Sequence, residues 1–261
     1  MKIYKGEKEM SGHSKWHNIQ NTKAKADAAR GQIFTKIGRE IAVAVKAGGP
    51  DPNTNSKLYD VVQKAKQANM PNDNIMRSIK KASGELGGAD YTEMLYEGYG
   101  TSGVAFVVEC LTDNKNRTAG DVRHAFDKCG GALGTSGSVT FMFDRKGVVV
   151  FEKSVFSSVD EALDLALEFS MDNPDAEIDD ITEDGDVYVL YCVPGAYHKV
   201  LTDFDKFLQG KGKTVSIVES GIQYVPNNYI ELNDEQRAKI ERLADMLNDL
   251  DDVQNVYHNG I

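Results

Sequence analysis

The stretch AEIDDITEDGDVYVLYCV, residues 176–193, decides how the second half of this chain folds. Two short strand-type runs, 176–182 and 187–193, flank the dipeptide Asp184-Gly185. Asp-Gly supplies the positive backbone φ angles that a two-residue hairpin loop requires. The sequence therefore predicts a β-hairpin at this point.

The elements on either side of this hairpin continue the pattern. A strand and a helix precede it, and a helix and a strand follow it, at 147–152, 159–171, 195–209 and 214–219. The order strand, helix, strand, strand, helix, strand is that of the split βαβ unit of ferredoxin-like folds. The sequence therefore predicts a ferredoxin-like α/β domain over residues 144–220.

Further strand and helix patterns flank that domain. Before it, the order strand, helix, strand occurs at 103–110, 118–129 and 138–143. After it, the same order occurs at 221–226, 233–250 and 253–257. They predict a second ferredoxin-like domain, residues 85–143 plus 221–261, into which the first is inserted. The predicted fold class is α+β, with an N-terminal helical bundle followed by the two α/β domains.

Residues 14–84 carry the 3.6-residue periodicity of amphipathic helices. The sequence Asn69-Met70-Pro71 ends one helix and begins the next, because proline is favoured in a first helical turn. In the stretch 33–46 the apolar side chains share one face and the basic side chains the opposite face, and the last helix repeats this arrangement. Residues 10–84 are therefore predicted to form a small helical domain with basic outer surfaces.

Charge is divided between these regions. Residues 1–84 contain 16 Lys and Arg against 7 Asp and Glu, a net +9, whereas residues 85–261 contain 14 against 33, a net −19. A basic module in an acidic chain favours an acidic partner, such as nucleic acid, at one end of the molecule. Eight of the acids lie in residues 172–186, which we interpret as a solvated edge that also repels nucleic acid.

The candidate nucleic-acid contacts are the cations of the helical domain and its tryptophan. They are Lys15, Trp16, Lys23, Lys25, Arg30, Lys36, Arg39, Lys46, Arg77, Lys80 and Lys81. Cations interleaved with an aromatic ring are typical of surfaces that neutralise phosphates and stack on bases. For Trp16 alone, the favoured interpretation is an anchor of the bundle. Asn114 and Arg117, in a polar loop between a strand and a helix, are additional candidates for contact with an anion.

Composition argues against several other classes of protein. The three cysteines, Cys110, Cys129 and Cys192, include no Cys-x-x-Cys pair, so we expect reduced thiols packed as small apolar side chains rather than a disulfide framework or a zinc site. No run approaches the roughly 18 consecutive apolar residues of a membrane span, and the first ten residues lack the apolar core of a signal peptide. A cytoplasmic protein with no metal, cofactor, membrane partner or small-molecule substrate is expected.

An enzyme is the weaker alternative. Residues 130–137 are rich in glycine but lack the Gly-Lys-Ser/Thr end of a phosphate-binding loop, and tight turns after a helix favour glycine as well. Asp113 opens a loop similar to the start of a calcium loop, but Lys115 occupies a ligand position. Because no grouping has catalytic spacing, a nucleotide-binding hydrolase is only a third hypothesis.

Six blocks of this sequence closely resemble the YebC family, which includes the mitochondrial translational activator of cytochrome c oxidase. The blocks are SGHSKW (11–16), FTK (34–36), NMP (69–71), YEGYG (96–100), TDNKNRT (112–118) and GSVTFMF (137–143). The resemblance implies a cytoplasmic protein of three domains, one helical and two α/β. The family's start corresponds to Met10, so the resemblance also implies that residues 1–9 are an extension.

The resemblance further implies a function. Family members are usually described as probable transcriptional regulators that bind DNA, and others act in translation at the ribosome, including on chains that stall at proline-rich stretches. The first hypothesis is therefore a non-enzymatic, nucleic-acid-binding regulator of gene expression, of the DNA-binding transcriptional kind. The alternative is a ribosome-associated translation factor or translational activator, which would use the same cations on ribosomal RNA and relieve stalling.

Overall fold

The computed structural model describes residues 30–84 and 90–261. The first part is a unit of three helices: α1 (Arg30–Gly48), α2 (Ser56–Gln67) and α3 (Asn72–Ala82). All three helices contribute apolar side chains to one core, among them Ile37, Ile41, Leu58 and Ile75. The predicted break at residues 69–71 is confirmed, since Asn69 has a left-handed backbone (φ 57°) and α3 begins directly after Pro71.

Asn55 fixes the connection between α1 and α2. Its side-chain oxygen accepts a hydrogen bond from the Leu58 N–H (3.1 Å), which caps α2. Its amide nitrogen donates to the carbonyls of Ala44 and Gly49 (2.8 Å each). Because Asn55 is buried, these bonds satisfy polar groups that water cannot reach, and they hold the end of α1 against the start of α2.

The next unit contains an antiparallel sheet of four strands: β1 (Thr92–Tyr99), β2 (Ala105–Thr112), β3 (Ala132–Leu133) and β8 (Val253–His258). The strand order is β3-β1-β2-β8. Two helices pack on it: α4 (Lys115–Lys128) and α7 (Asp234–Asn248). Their shared core includes Phe106, Phe126, Leu243 and Leu247.

A second antiparallel sheet is built from four other strands: β4 (Phe143–Glu152), β5 (Ile178–Asp184), β6 (Val187–Cys192) and β7 (Ile217–Pro226). Its helices are α5 (Val159–Asp172) and α6 (197–210), and α6 contains a π-helical turn. The order β5-β6-β4-β7, antiparallel throughout, is that of a split βαβ unit. All of its strands lie in the chain between β3 and β8, so this unit interrupts the one before it.

Two strand assignments made from the sequence are wrong. At 138–143, residues Thr140–Met142 form a 3₁₀ turn, and β4 starts only at Phe143. Residues 217–219 and the run 221–226 belong to one strand, β7, because Gly221 pairs with Val148 of β4 and the strand continues through it. Residues 221–226 are therefore part of the second sheet.

The first sheet also departs from the predicted ferredoxin-like pattern. The strand β1 was not predicted, because its sequence TEMLYEGY mixes acids and glycine with its apolar residues. The observed order in this unit is strand, strand, helix, strand and then helix, strand. The split βαβ order therefore describes the second sheet alone.

Gly147 in β4 allows close packing between the second sheet and α6. A methyl group at this position would lie 2.5 Å from Cys192 Sγ and 2.9 Å from Tyr197 Cβ. We expect Gly147→Ala to lower the free energy of unfolding, measured in urea, by about 1–3 kcal/mol, because packed neighbours must shift.

The matched control is Gly120→Ala in α4. No atom outside its own helix backbone lies within 4 Å of the added methyl group. This change is expected to raise the free energy of unfolding by up to about 1 kcal/mol, since alanine is the better helix former. Changes of the same sign in both variants would contradict the packing described at Gly147.

Candidate nucleic-acid interface

The helix α3 presents three exposed cations. Ile75 and Ile79 are buried in the helical core, whereas Arg77, Lys80 and Lys81 are exposed. Their spacing of three and four residues makes them neighbours on the helix surface. Lys80 and Lys81 also lie in the last turn, where the helix dipole favours positive charge without any partner.

Lys66, in the last turn of α2, is a fourth exposed cation and is not among the contacts predicted from the sequence. Within the described residues, no carboxylate lies at ion-pair distance from any of these four side chains. We call Lys66, Arg77, Lys80 and Lys81 the free cations. The signal that could have identified Lys66 is its position in the last turn of an amphipathic helix, where the helix dipole favours a cation.

Other cations of the helical unit have carboxylate partners. Lys46 at the end of α1 forms an ion pair with Asp90, and both side chains are exposed. Lys57 pairs with Glu93 (3.0 Å), and Lys64 pairs with Glu40 (2.7 Å). Exposed ion pairs are weak, so Lys46 can exchange Asp90 for a phosphate at little cost.

Lys36 and Arg39 do not lie with the free cations. Lys36 Nζ donates to the carbonyl of Asn248 at the end of α7 (2.8 Å), and burial lowers the pKa of Lys36 to about 8. Arg39 donates to the carbonyl of Leu111 (3.0 Å) and forms an ion pair with Asp252, and its side chain is only 12% exposed. In this structure the two side chains join the helical unit to the unit of the first sheet.

Asp252, in the turn between α7 and β8, gathers side chains from three other elements. It accepts hydrogen bonds from Thr118 (2.6 Å) and Arg117 (2.8 Å) of α4 and from Thr112 of β2 (3.1 Å), and it pairs with Arg39 of α1. Burial raises the pKa of Asp252, but the hydrogen bonds from Thr118, Arg117 and Arg39 outweigh burial and hold the pKa below its usual value. We call these five residues the Asp252 cluster.

Asn114 and Arg117 also have partners within the chain. The Asn114 side chain caps α4 by accepting a hydrogen bond from the Arg117 N–H (3.1 Å). The Arg117 guanidinium binds Asp113 (2.8 Å) as well as Asp252. The anions that face this candidate site are therefore carboxylates of the protein itself.

A separate contact joins the helical unit to the unit of the second sheet. Asp60 Oδ1 of α2 lies 2.9 Å from His198 Nδ1 of α6, and the Tyr59 ring meets the His198 ring edge-on at 5.7 Å. Burial raises the pKa of Asp60, although the bond to His198 opposes that shift. The helical unit is thus fixed against both α/β units, on surfaces that do not include the free cations.

The glycine-rich loop after α4 already binds an anion of the chain. The buried Glu97 of β1 accepts hydrogen bonds from the backbone N–H groups of Gly137 (2.6 Å), Val139 (2.8 Å) and Thr140 (2.9 Å). Burial raises the pKa of Glu97, but these three donors outweigh burial, so the pKa lies below its usual value. The N–H groups that would hold a nucleotide phosphate are occupied, which favours a structural role for this loop.

Three further features concern the buried thiols, possible metal ligands and membrane-spanning helices. Burial raises the pKa of the Cys110 and Cys192 thiols to about 12, so both are protonated at neutral pH. In the part of the chain that the structure describes, no three His, Cys, Asp or Glu side chains are grouped to hold a metal ion. Among residues 30–84 and 90–261, no helix has both the length and the apolar character needed to cross a membrane.

Several predicted contacts lie outside the described residues. They are Lys15, Trp16, Lys23 and Lys25. Arg30 is described only as the first residue of α1. Contacts of these five residues with nucleic acid stay predictions.

Fold and charge together define an α+β protein in which a helical unit with free cations rests on two α/β units. The chain belongs to the TACO1/YebC family. Residues 14–85 match the TACO1/YebC protein N-terminal domain, and residues 91–260 match the TACO1/YebC second and third domain. The resemblance to the YebC family found in the sequence blocks is thereby confirmed.

Relatives and a solved structure resemble the chain over nearly its whole length. A protein of Acetivibrio thermocellus named "Probable transcriptional regulatory protein" is 51% identical over 251 residues, 96% of this chain and 98% of the relative. A probable transcriptional regulatory protein of Hathewaya histolytica is 47% identical over 251 residues, 96% of this chain and 97% of the relative. The crystal structure of a conserved hypothetical protein from Aquifex aeolicus is 39% identical with a TM-score of 0.76, and covers 91% of this chain and 93% of the other.

Proposed function

We propose that this chain is a non-enzymatic regulator of gene expression, cytoplasmic and cofactor-free, that binds DNA through the free cations of its helical unit. The observation that carries the proposal is the contrast between cations that are paired and cations that are not. Lys36, Arg39 and Arg117 bind groups of the protein itself, whereas Lys66, Arg77, Lys80 and Lys81 face solvent. The names of the relatives, as probable transcriptional regulatory proteins, support a role in regulation.

The distribution of charge supports an orientation for the bound nucleic acid. The region that contains the free cations has a net charge of +9, and the rest of the chain has −19. A polyanion is attracted to the helical unit and repelled by the α/β units, so it meets one end of the molecule. In the sequence, Lys15, Lys23, Lys25 and Lys46 belong to the same basic stretch, residues 1–84, and we propose that they contribute to binding as well.

Binding of the full chain to a labelled DNA duplex, measured by fluorescence anisotropy, tests the proposal. The variant carries Arg77→Glu, Lys80→Glu and Lys81→Glu. Because each phosphate contact contributes about 0.9 to the slope of log K against log salt, loss of three contacts should reduce that slope by about 2.7. The affinity at about 0.1 M salt should fall on the order of 100-fold.

The matched control reverses three exposed lysines of the α/β units, with Lys115→Glu, Lys128→Glu and Lys206→Glu. It makes the same change in net charge away from the proposed interface, and it should reduce affinity less than about threefold because distant charges are screened. Equal losses in the two variants, or no binding of the wild type at low salt, would contradict the proposal. Stronger binding to a folded RNA hairpin than to the duplex would favour the ribosomal alternative over DNA.

A further inference from the structure

The helix α5 leaves an apolar stripe exposed on the second sheet's unit. Leu163, Leu167 and Met171 follow one another at four-residue spacing, so they lie along one line of the helix surface. Leu167 is 57% exposed and Met171 is 82% exposed, the latter being the most exposed of the large apolar side chains in the described residues. Leu163 is half-buried and packs against the core of the second sheet's unit, so the stripe begins at that core.

A shallow groove of about 70 Å³ runs beside this stripe. It lies between α5 and the edge strand β5, and Leu163, Leu167, Ile178 and Ile181 contribute its apolar walls. Asp179 and Asp180 of β5, both exposed, also line the groove. The groove thus combines an apolar floor with an acidic border.

Acidic side chains border the stripe on the helix as well. Asp164, Glu168 and Asp172 each follow one residue after a member of the stripe and form a parallel row. Glu168 pairs with Lys211, and Asp179 pairs with Lys146 (2.8 Å). In the described residues no cation lies at ion-pair distance from Asp164, Asp172 or Asp180.

The strand edge itself is poorly suited to pairing with another strand. β5 has an irregularity between Ile178 and Asp180 in its pairing with β6, and its exposed residues are mainly acidic. Bulges and charged side chains are the features that protect sheet edges from strand addition. The surface offered here is therefore the side-chain surface along α5, which suits a helix with apolar residues at matching spacing.

From the apolar stripe, the groove and the unpaired acids, we infer that α5 and β5 form a docking surface for a lysine- and arginine-rich amphipathic helix of a partner protein. Apolar side chains of the partner at i, i+4 and i+8 cover Leu163, Leu167 and Met171. Its cations pair with Asp164, Asp172 and Asp180. The same acidic border repels nucleic acid, so this surface serves a protein while the free cations serve a polyanion. The inference does not depend on the proposed function.

The test uses a fluorescent peptide of about 15 residues, built from lysine and leucine with leucines at i, i+4 and i+8, added to the full chain. We expect binding in the micromolar range, and a shift of the Met171 methyl resonance in methionine-methyl NMR, with the signal assigned through Met171→Leu. The double variant Leu167→Gln, Met171→Gln should lose at least about tenfold in affinity. A peptide of the same composition with leucines at every second position should bind at least about tenfold more weakly.

Matched variants separate this docking from general attraction of cations to an acidic protein. Met76→Gln with Ile222→Gln removes two exposed apolar side chains elsewhere and should leave affinity unchanged. Asp164→Asn with Asp172→Asn should weaken binding more than Asp121→Asn with Asp127→Asn, which removes two exposed acids of α4. The inference would be overturned if the apolar variants at the stripe and elsewhere changed peptide affinity equally, or if the two pairs of acidic variants did. It would also be overturned if the peptide did not bind, or if it shifted the methyl resonances of other methionines but not that of Met171. Self-association of the free protein that disappears in Leu167→Gln, Met171→Gln would also overturn it, because a second copy would then be the occupant.

Discussion

Asp252→Ala is expected to lower the free energy of unfolding by about 3–5 kcal/mol, because removal of one partner of a buried ion pair leaves the other charge uncompensated. Asp252 is 6% exposed, and the Arg39 side chain that pairs with it is 12% exposed. Arg39 Nε is already buried without a hydrogen-bond partner in the described structure, so Arg39 has little alternative solvation. Urea denaturation followed by far-UV circular dichroism measures the effect.

Two further variants show which part of the Asp252 cluster is responsible. Asp252→Asn keeps an acceptor for Thr118 but removes the charge that faces both arginines, so we expect an intermediate loss of stability. Asp113→Ala removes the other carboxylate bound to Arg117, and this exposed pair should contribute little. A stability of Asp252→Ala within about 1 kcal/mol of the wild type, the contribution of one ordinary hydrogen bond, would contradict the role of the cluster.

The same variants report on how the helical unit is attached. Asp252 contacts α1 through Arg39 and α4 through Arg117 and Thr118. Amide hydrogen exchange should therefore become faster in α1 when Asp252 is removed, because α1 loses its ionic contact with the first sheet's unit.

The helical unit and the second sheet could be predicted from the sequence because their signals are local. Each helix carries its own apolar period, and the Asp-Gly signal predicts the hairpin between β5 and β6, although its two loop residues are Gly185 and Asp186, because Asp184 pairs with Val187 as the last residue of β5. The first sheet could not be predicted in the same way. Its strand β1 has weak local alternation, and it becomes a strand through pairing along its whole length with β2.

The candidate site shows the same limit. Helical periodicity placed Lys36, Arg39 and Lys46 on the polar face of α1, but a polar face can meet either solvent or another unit of the protein. Only the fold shows that Arg39 is buried against Asp252, whereas Lys46 stays exposed in a surface ion pair with Asp90. Asp252 follows Asp251, which is exposed. From the sequence alone, both acids would be assigned to a solvent-exposed turn.

Glu97→Ala is expected to lower the free energy of unfolding by about 2–4 kcal/mol, because three backbone N–H groups lose their acceptor and an unsatisfied buried donor costs about 1–3 kcal/mol. The N–H of Val139 suffers most, since Val139 is fully buried and water cannot replace the carboxylate there. Gly137 is exposed, so its N–H can turn to solvent. Urea denaturation at neutral pH gives the size of the loss.

Acid pH provides an independent measurement of the same contact. The pKa of Glu97 is lowered in the folded state, so its contribution to stability is complete above the unfolded pKa, about 4.3, and is lost as the pH falls from there through the lower folded pKa. Glu97→Gln should therefore lose less stability than the wild type between neutral pH and about pH 3. Glu235→Gln is the control, because the Glu235 pKa is also lowered, by Lys239, but its side chain is 80% exposed and the exposed pair should leave the pH dependence almost unchanged. If Glu97→Gln follows the wild-type pH dependence, the glycine-rich loop is not held by the Glu97 carboxylate, and its N–H groups become available to an external anion.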